Sequence, residues 1–318
     1  MKKIVKKNRW GRLYDNGDGR MKNWLKIIVT LTLLSFFSNA NAQGFCEGNG
    51  ATEDADGVIT FSGSVDNMTG CDFAPDEYTV TIYKLALCTN LPTRPTVNTE
   101  YDVSSCVDVI DSPSGQEVNL AAGSEIILDG TLRPADGTYG FGYILMSNVF
   151  GIKAIKQFTN TMHTYRNGPA GNFCWTLDSS AFNSDDDTFP IPPPNPTPNL
   201  KCGIERQQAP GTFNETLDMF GPNAYDVGPF PVESGTLSAD LITDASKELV
   251  NADKTADRLF GVQTFTSSVN VNSDSSLFTV SFGVNQASGM WMENQGNPNE
   301  YNARAIGSGP FSTYMTVE

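Results

Sequence analysis

Residues 78–88 read Tyr-Thr-Val-Thr-Ile-Tyr-Lys-Leu-Ala-Leu-Cys, and their alternation decides the fold class. Successive side chains of a strand point to opposite faces, so a period of two marks a half-buried strand. Tyr78, Val80, Ile82, Ala86 and Cys88 share one face; Thr79, Thr81, Tyr83, Leu85 and Leu87 share the other. Lys84 falls on the first face, where an ammonium is not expected. Similar short runs recur on both sides. Val58–Val65 precedes it, and Glu125–Leu128, Phe173–Leu177, Leu277–Val284 and Phe311–Val317 follow. Tyr139–Phe150, YGFGYILMSNVF, is apolar on both faces and predicts a central, buried strand. Turn residues separate the runs, as in a sandwich or barrel. Ala239–Leu259 is the exception, with Ala245–Val250 the best helical stretch. The expected class is all-β, a β-sandwich with a second β-rich C-terminal region.

The first 42 residues differ in kind. Lys22 and Lys26 precede the apolar run 27–37, IIVTLTLLSFF, which ends in Ala40-Asn41-Ala42. A basic end, a short apolar stretch and a small-x-small site form a secretory signal. The run is shorter than the roughly 20 residues a membrane-spanning helix needs. Met21 opens a complete leader of its own, with residues 1–20 as an upstream extension. The expected organisation is 1–42 leader, 43–182 disulfide-bonded sandwich, 183–200 proline-rich linker or exposed loop, and 201–318 C-terminal domain. The segment 183–200, NSDDDTFPIPPPNPTPNL, holds six prolines, which favour extended, semi-rigid chain.

From residue 43 onward the chain carries 12 basic against 34 acidic side chains, a net charge of −22. That balance repels phosphate backbones and anionic headgroups, so neither nucleic acid nor a membrane surface is an expected partner, and no membrane-spanning segment is expected after residue 42. Cys46, Cys71, Cys88, Cys106, Cys174 and Cys202 all lie beyond the leader. An even count in an exported chain reads as three disulfides, with the pairing open. Cys88 with Cys106 would close a short loop, and Cys174 with Cys202 would staple the proline-rich excursion. The expected location is the periplasm, cell surface or extracellular space.

Catalytic chemistry finds little to use. His163 is the one histidine, in a polar stretch that reads as a loop. Histidine-based triads and zinc sites would all depend on it. Phosphate-cradling glycine loops are missing, so no nucleotide cofactor is expected. Calcium is the one cofactor the sequence suggests, at the acidic turn Glu53-Asp54-Ala55-Asp56-Gly57 with Asp54 and Asp56 as ligands; Asp185–Asp187 is a second acidic cluster. Neither supplies the 6 to 8 oxygens calcium wants, and a solvated turn explains both. Trp291, in SGMWMENQG, is the candidate platform for a glycan.

Two segments resemble known families. Tyr78-x-Val80-x-Ile82 leading to Leu87-Cys88 is similar to the opening strand of small, uncharacterised exported β domains of marine bacteria. Phe150-Gly151-Ile152-Lys153 and Cys174 fit the same pattern. Leu132-Arg133-Pro134-Ala135-Asp136-Gly137-Thr138-Tyr139 resembles the P-x-x-G-x-Y turn of prealbumin-like and collagen-adhesin B-type sandwiches. The resemblance spans about residues 71–180. It implies a prealbumin-like, immunoglobulin-like sandwich in which Gly137 reverses the chain and Tyr139 begins a core strand. Some collagen-adhesin B-type domains also carry a Lys-Asn or Lys-Asp isopeptide bond, for which Lys84 would be the lysine. The other reading of Lys84 packs its stem and sends its ammonium to water. Three functions are then open. The first is a non-catalytic structural or adhesive envelope protein that self-assembles or binds envelope partners. The second is an extracellular glycan- or ligand-binding module. The third is a hydrolase working through carboxylates.

Overall fold

The computed structural model describes residues 51–61, 69–120, 132–164, 168–178, 199–220, 223–232, 234–275, 278–294 and 300–317. Among them every regular element is a strand. In chain order these are β1 (Ala51–Glu53), β2 (Val58–Phe61), β3 (Thr69–Phe73), β4 (Glu77–Cys88), β5 (Cys106–Asn119) and β6 (Gly137–Ser147). Then come β7 (Val149–Lys153), β8 (Ile155–Thr164), β9 (Ala170–Thr176), β10 (Leu200–Gly203), β11 (Phe213–Thr216) and β12 (Asp226–Val232). The last are β13 (Gly235–Ile242), β14 (Arg258–Val271), β15 (Phe278–Gly283), β16 (Ser288–Asn294), β17 (Glu300–Ser308) and β18 (Ser312–Val317).

The strands form two large sheets and a ribbon. In the first sheet β8 pairs antiparallel with β9, which carries β10, and parallel with both β2 and β17. Beyond these, β1 joins β2, β16 joins β17, and β3 joins β16. In the second sheet β4 pairs with β5, β6 and β7; β14, β13 and β12 extend from β6, and β11 from β7. β15 and β18 form the ribbon. Ile59, Phe61, Phe158, Met290 and Tyr301 of the first sheet share one hydrophobic cluster with Tyr78, Val80, Ile82, Met146 and Phe213 of the second. The arrangement is sandwich-like.

β4 explains the misplaced lysine. Tyr78, Val80 and Ile82 face the shared core, as the alternation predicts. The register then shifts between Ile82 and Lys84 against both neighbouring strands. Such a bulge moves the following residues to the opposite face. Leu85 and Leu87 take over the core, while Ala86 and Cys88 enter a second cluster with Tyr143, Ile242 and Phe260. Lys84 thus leaves the core face. The expectation that Ala86 and Cys88 continue the face of Tyr78 is corrected accordingly.

The second cluster is covered by residues 89–105. Tyr101 stacks on Phe260 with ring centroids 4.4 Å apart. Arg94 fixes this segment to β13: its Nε and Nη2 donate to the two oxygens of Asp240 at 2.9 and 2.7 Å. Nη2 also donates to the carbonyls of Val227 and Ala239. Asp240 is 1% exposed, and burial raises its carboxyl although Arg94 pulls the other way.

Ahead of β6 the chain bends at Asp136, so Gly137 does not itself reverse the chain. Gly137 opens β6, Tyr139 is buried, and its hydroxyl donates back to Ala135 O at 2.7 Å. Tyr139–Phe150 is central and buried, but it is two strands. Asn148 breaks it, because its side-chain amide donates to the carbonyls of Leu217 and Ala256 instead of lying in a ladder. No helix occupies 245–250. Thr243 and Ser246 close a hydroxyl-bonded turn, Lys247 has φ 55°, and Ile242 bridges Leu249. The six-residue run was too short to hold a helix against that turn.

The expected boundary at 183–200 does not divide the sheets. β14, from beyond it, pairs with β6 from Arg258↔Ser147 to Val271↔Gly137. β17 sits between β8 and β16. The described residues all belong to one compact unit, so 201–318 completes the sheets that 43–182 begins. Residues 62–65 and 125–128, and 183–198 with Asp185–Asp187, lie outside the described residues.

Polar side chains stand in for missing ladder rungs at three places. Asn160 accepts from Phe61 N at 2.8 Å and donates to Phe61 O at 3.3 Å. Asn199 donates to Ile306 O at 2.7 Å and accepts from Ile306 N at 3.1 Å. Gln263 donates to Thr313 O and accepts from Thr313 N, both at 3.0 Å. Each carboxamide presents one donor and one acceptor, matching the peptide group it binds. Asn199→Leu keeps the branched outline of the side chain but leaves Ile306 N–H and C=O without this partner. Each unsatisfied group costs about 1–3 kcal/mol. A loss of about 2–4 kcal/mol in urea unfolding is expected. Wild-type stability in that variant would remove the clamp from this account.

Candidate functional site

Two disulfides lie where paired strands place their cysteines directly opposite. Cys88 faces Cys106 across β4 and β5, and Cys174 faces Cys202 across β9 and β10. Both pairs are bonded, with Cα atoms 4.0 Å apart. The two expected pairings are thus present. Cys71 is disulfide-bonded as well; Cys46 lies outside the described residues.

The acidic turn is used internally. Asp54 Oδ1 accepts from the backbone N–H of Asp56 and of Val58, each at 2.9 Å, which shapes the turn from β1 to β2. Glu53 pairs with Lys156 at 3.2 Å, and that ammonium also lies over the Phe73 ring. Gly57 supplies the positive φ of 76°. Among the described residues no three His, Cys, Asp or Glu side chains gather as a metal site.

Lys84 Nζ lies 3.3 Å from Asp108 Oδ2 and 3.3 Å from Asp111 Oδ1. These are ion-pair contacts rather than an amide bond. The side chain is 34% exposed. Burial works against its charge, but the two carboxylates outweigh it and hold the ammonium above its ordinary value. His163 is not in a loop. It lies in β8 opposite Asn302 of β17, with Nε2 3.9 Å from Glu300.

Trp291 is half-buried in β16 rather than an open platform. A methyl placed on Gly307 of the neighbouring strand would meet its ring at 2.8 Å. Trp175 sits over Gly203 of β10 in the same manner, at 2.9 Å. An aromatic ring covering a cross-strand glycine restores packing that glycine cannot supply. Both tryptophans therefore have a packing role.

The same point above Gly307 is 3.1 Å from Oε1 of Glu215, a residue the sequence reading missed. Glu215 lies in β11, where Phe213 and Glu215 alternate inward. It is 4% exposed and accepts a hydrogen bond from Ser308 N of β17. Burial raises its carboxyl to about 7; the Ser308 bond opposes this and the Asp218 charge adds to it. Asp218 Oδ1 and the Tyr78 hydroxyl are both buried without a hydrogen-bond partner. Burial pushes the Tyr78 phenol well above its usual value, and the Glu215 charge adds to that. Glu215 thus lies where the two sheets join, near enough to Asp218 and Tyr78 for their charges to interact. Its only local signal was a glutamate two residues after an inward phenylalanine. Compared with known proteins, the chain matches no family model, no curated protein and no solved structure.

Proposed function

We propose that this is an exported, non-catalytic cell-envelope protein, a structural or adhesive β-sandwich of prealbumin-like, immunoglobulin-like architecture. The observation that carries the reading is where the polar chemistry goes. Cysteines opposite each other lock strand register, and three carboxamides replace ladder rungs between segments 50 to 107 residues apart. Such fastening gives a rigid, load-resistant body. Disulfides are rare in reducing compartments, which agrees with the leader expected at 1–42. Self-assembly or contact with other envelope proteins follows as its mode of action, with no cofactor required.

Fractionation of the native envelope followed by electron microscopy tests this. Polymers or surface arrays containing the chain are expected. A released monomer that binds a glycan panel, and loses binding as Trp291→Ala, would instead establish the ligand-binding alternative. Recovery of the chain from the cytosol would overturn both.

A further inference from the structure

The buried acid at the junction of the sheets has a property that the structural role does not require. Glu215 belongs to β11, which pairs with β7 of the second sheet. Its side chain accepts a hydrogen bond from Ser308 N of β17, in the first sheet. The groups around it come from several elements. Asp218 after β11 acts on it electrostatically, its own charge acts on Tyr78 of β4, Phe150 of β7 stands opposite it in register, and the Trp291 ring shares the space above Gly307. Among these groups there is no cation. An ionised carboxylate there carries desolvation cost and like-charge repulsion together. A neutral carboxyl keeps the Ser308 bond and escapes both the desolvation cost and the repulsion from Asp218.

We propose that Glu215 is a proton-operated clasp between the two sheets: as a neutral acid it fastens β11 to β17, and on losing its proton it loosens that seam. The opened seam exposes the carboxyl to water, where it returns to its ordinary acidity. The closed form therefore binds the proton more tightly than the open form. Closure is then fully favoured below the ordinary glutamate range and weakens as pH rises through the closed-state value of about 7. Above that the effect is complete. The consequence is a structural body that stiffens in mildly acidic surroundings and relaxes in mildly alkaline ones.

Hydrogen exchange read by mass spectrometry on the full chain tests it, in peptides covering 213–220 and 300–311. Rates are corrected for intrinsic exchange at pH 5, 6, 7 and 8. In the wild type the opening constant should rise by up to roughly tenfold per pH unit between about pH 5 and 7, then level off. Glu215→Gln, which keeps an acceptor for Ser308 N–H, should flatten the profile. Asp218→Asn removes the like charge and should complete the rise at lower pH, which keeps the test open if Glu215→Gln does not fold. Peptides from β6 should show no such step in any variant. A wild-type profile flat across this range, or the same slope in Glu215→Gln, would overturn the clasp.

Discussion

Replacing Cys88, Cys106, Cys174 and Cys202 together by alanine is expected to take the protein to the edge of unfolding. The two closed loops span 18 and 28 residues and do not overlap. In the chain-entropy account they contribute about 3 and about 3.5 kcal/mol. Domains are stable by only about 5–15 kcal/mol, so losing about 6.5 kcal/mol removes a large share of it. Alanine is the right replacement because Cys88, Cys174 and Cys202 are fully buried, where a serine hydroxyl would add its own cost. Each pair already sits opposite in a formed ladder, so the alanines should be accommodated without repacking. Thermal unfolding followed by circular dichroism should show a fall of roughly 15 °C or more. A quadruple variant within about 2 kcal/mol of wild type would mean that the strands need no covalent fastening.

The second large effect is expected at Arg94. Arg94→Met keeps the stem but removes the partner of a carboxylate that is almost wholly buried. Breaking a buried pair from one side typically costs about 3–5 kcal/mol. The carbonyls of Val227 and Ala239 lose a donor in the same step. The pH dependence has a definite sign. Arg94 lowers the Asp240 carboxyl, so its removal raises the folded value further above the unfolded one. The proton-bound form is then favoured by folding, and the deficit of the variant grows as pH rises from the ordinary carboxylate range. Urea midpoints should therefore differ more at pH 7 than at pH 4. Faster proteolysis within 89–105 should accompany the change, because that segment loses its tie to β13. Equal midpoints at both pH values would show that Asp240 is not held by this pair.

Where local pattern sets structure, the fold was legible. The apolar half of β4, the turn into β6 and the inward tyrosine at its start follow from alternation and turn chemistry within a dozen residues. Cys88–Cys106 was accessible because it closes a short loop, and Cys174–Cys202 because it staples the proline-rich excursion. The illegible parts depend on distant partners. Nothing near Lys84 announces the bulge, which arises from registers against β5 and β6. β8 and β17 place Asn160, Thr164, Asn302 and Arg304 in buried positions, so their alternation is masked by polar residues. The proline run suggested a domain boundary, yet the pairing of β6 with β14 joins segments more than a hundred residues apart. Glu215 is the sharpest case. Its burial comes from β17, which approaches it from the other end of the chain.

The stapled register is the centre of this account, and peptide mapping of the native protein without reduction tests it most directly. The account predicts linked peptides joining Cys88 to Cys106 and Cys174 to Cys202, with no cysteine open to alkylation. Six alkylated cysteines in protein taken from the cell would contradict it.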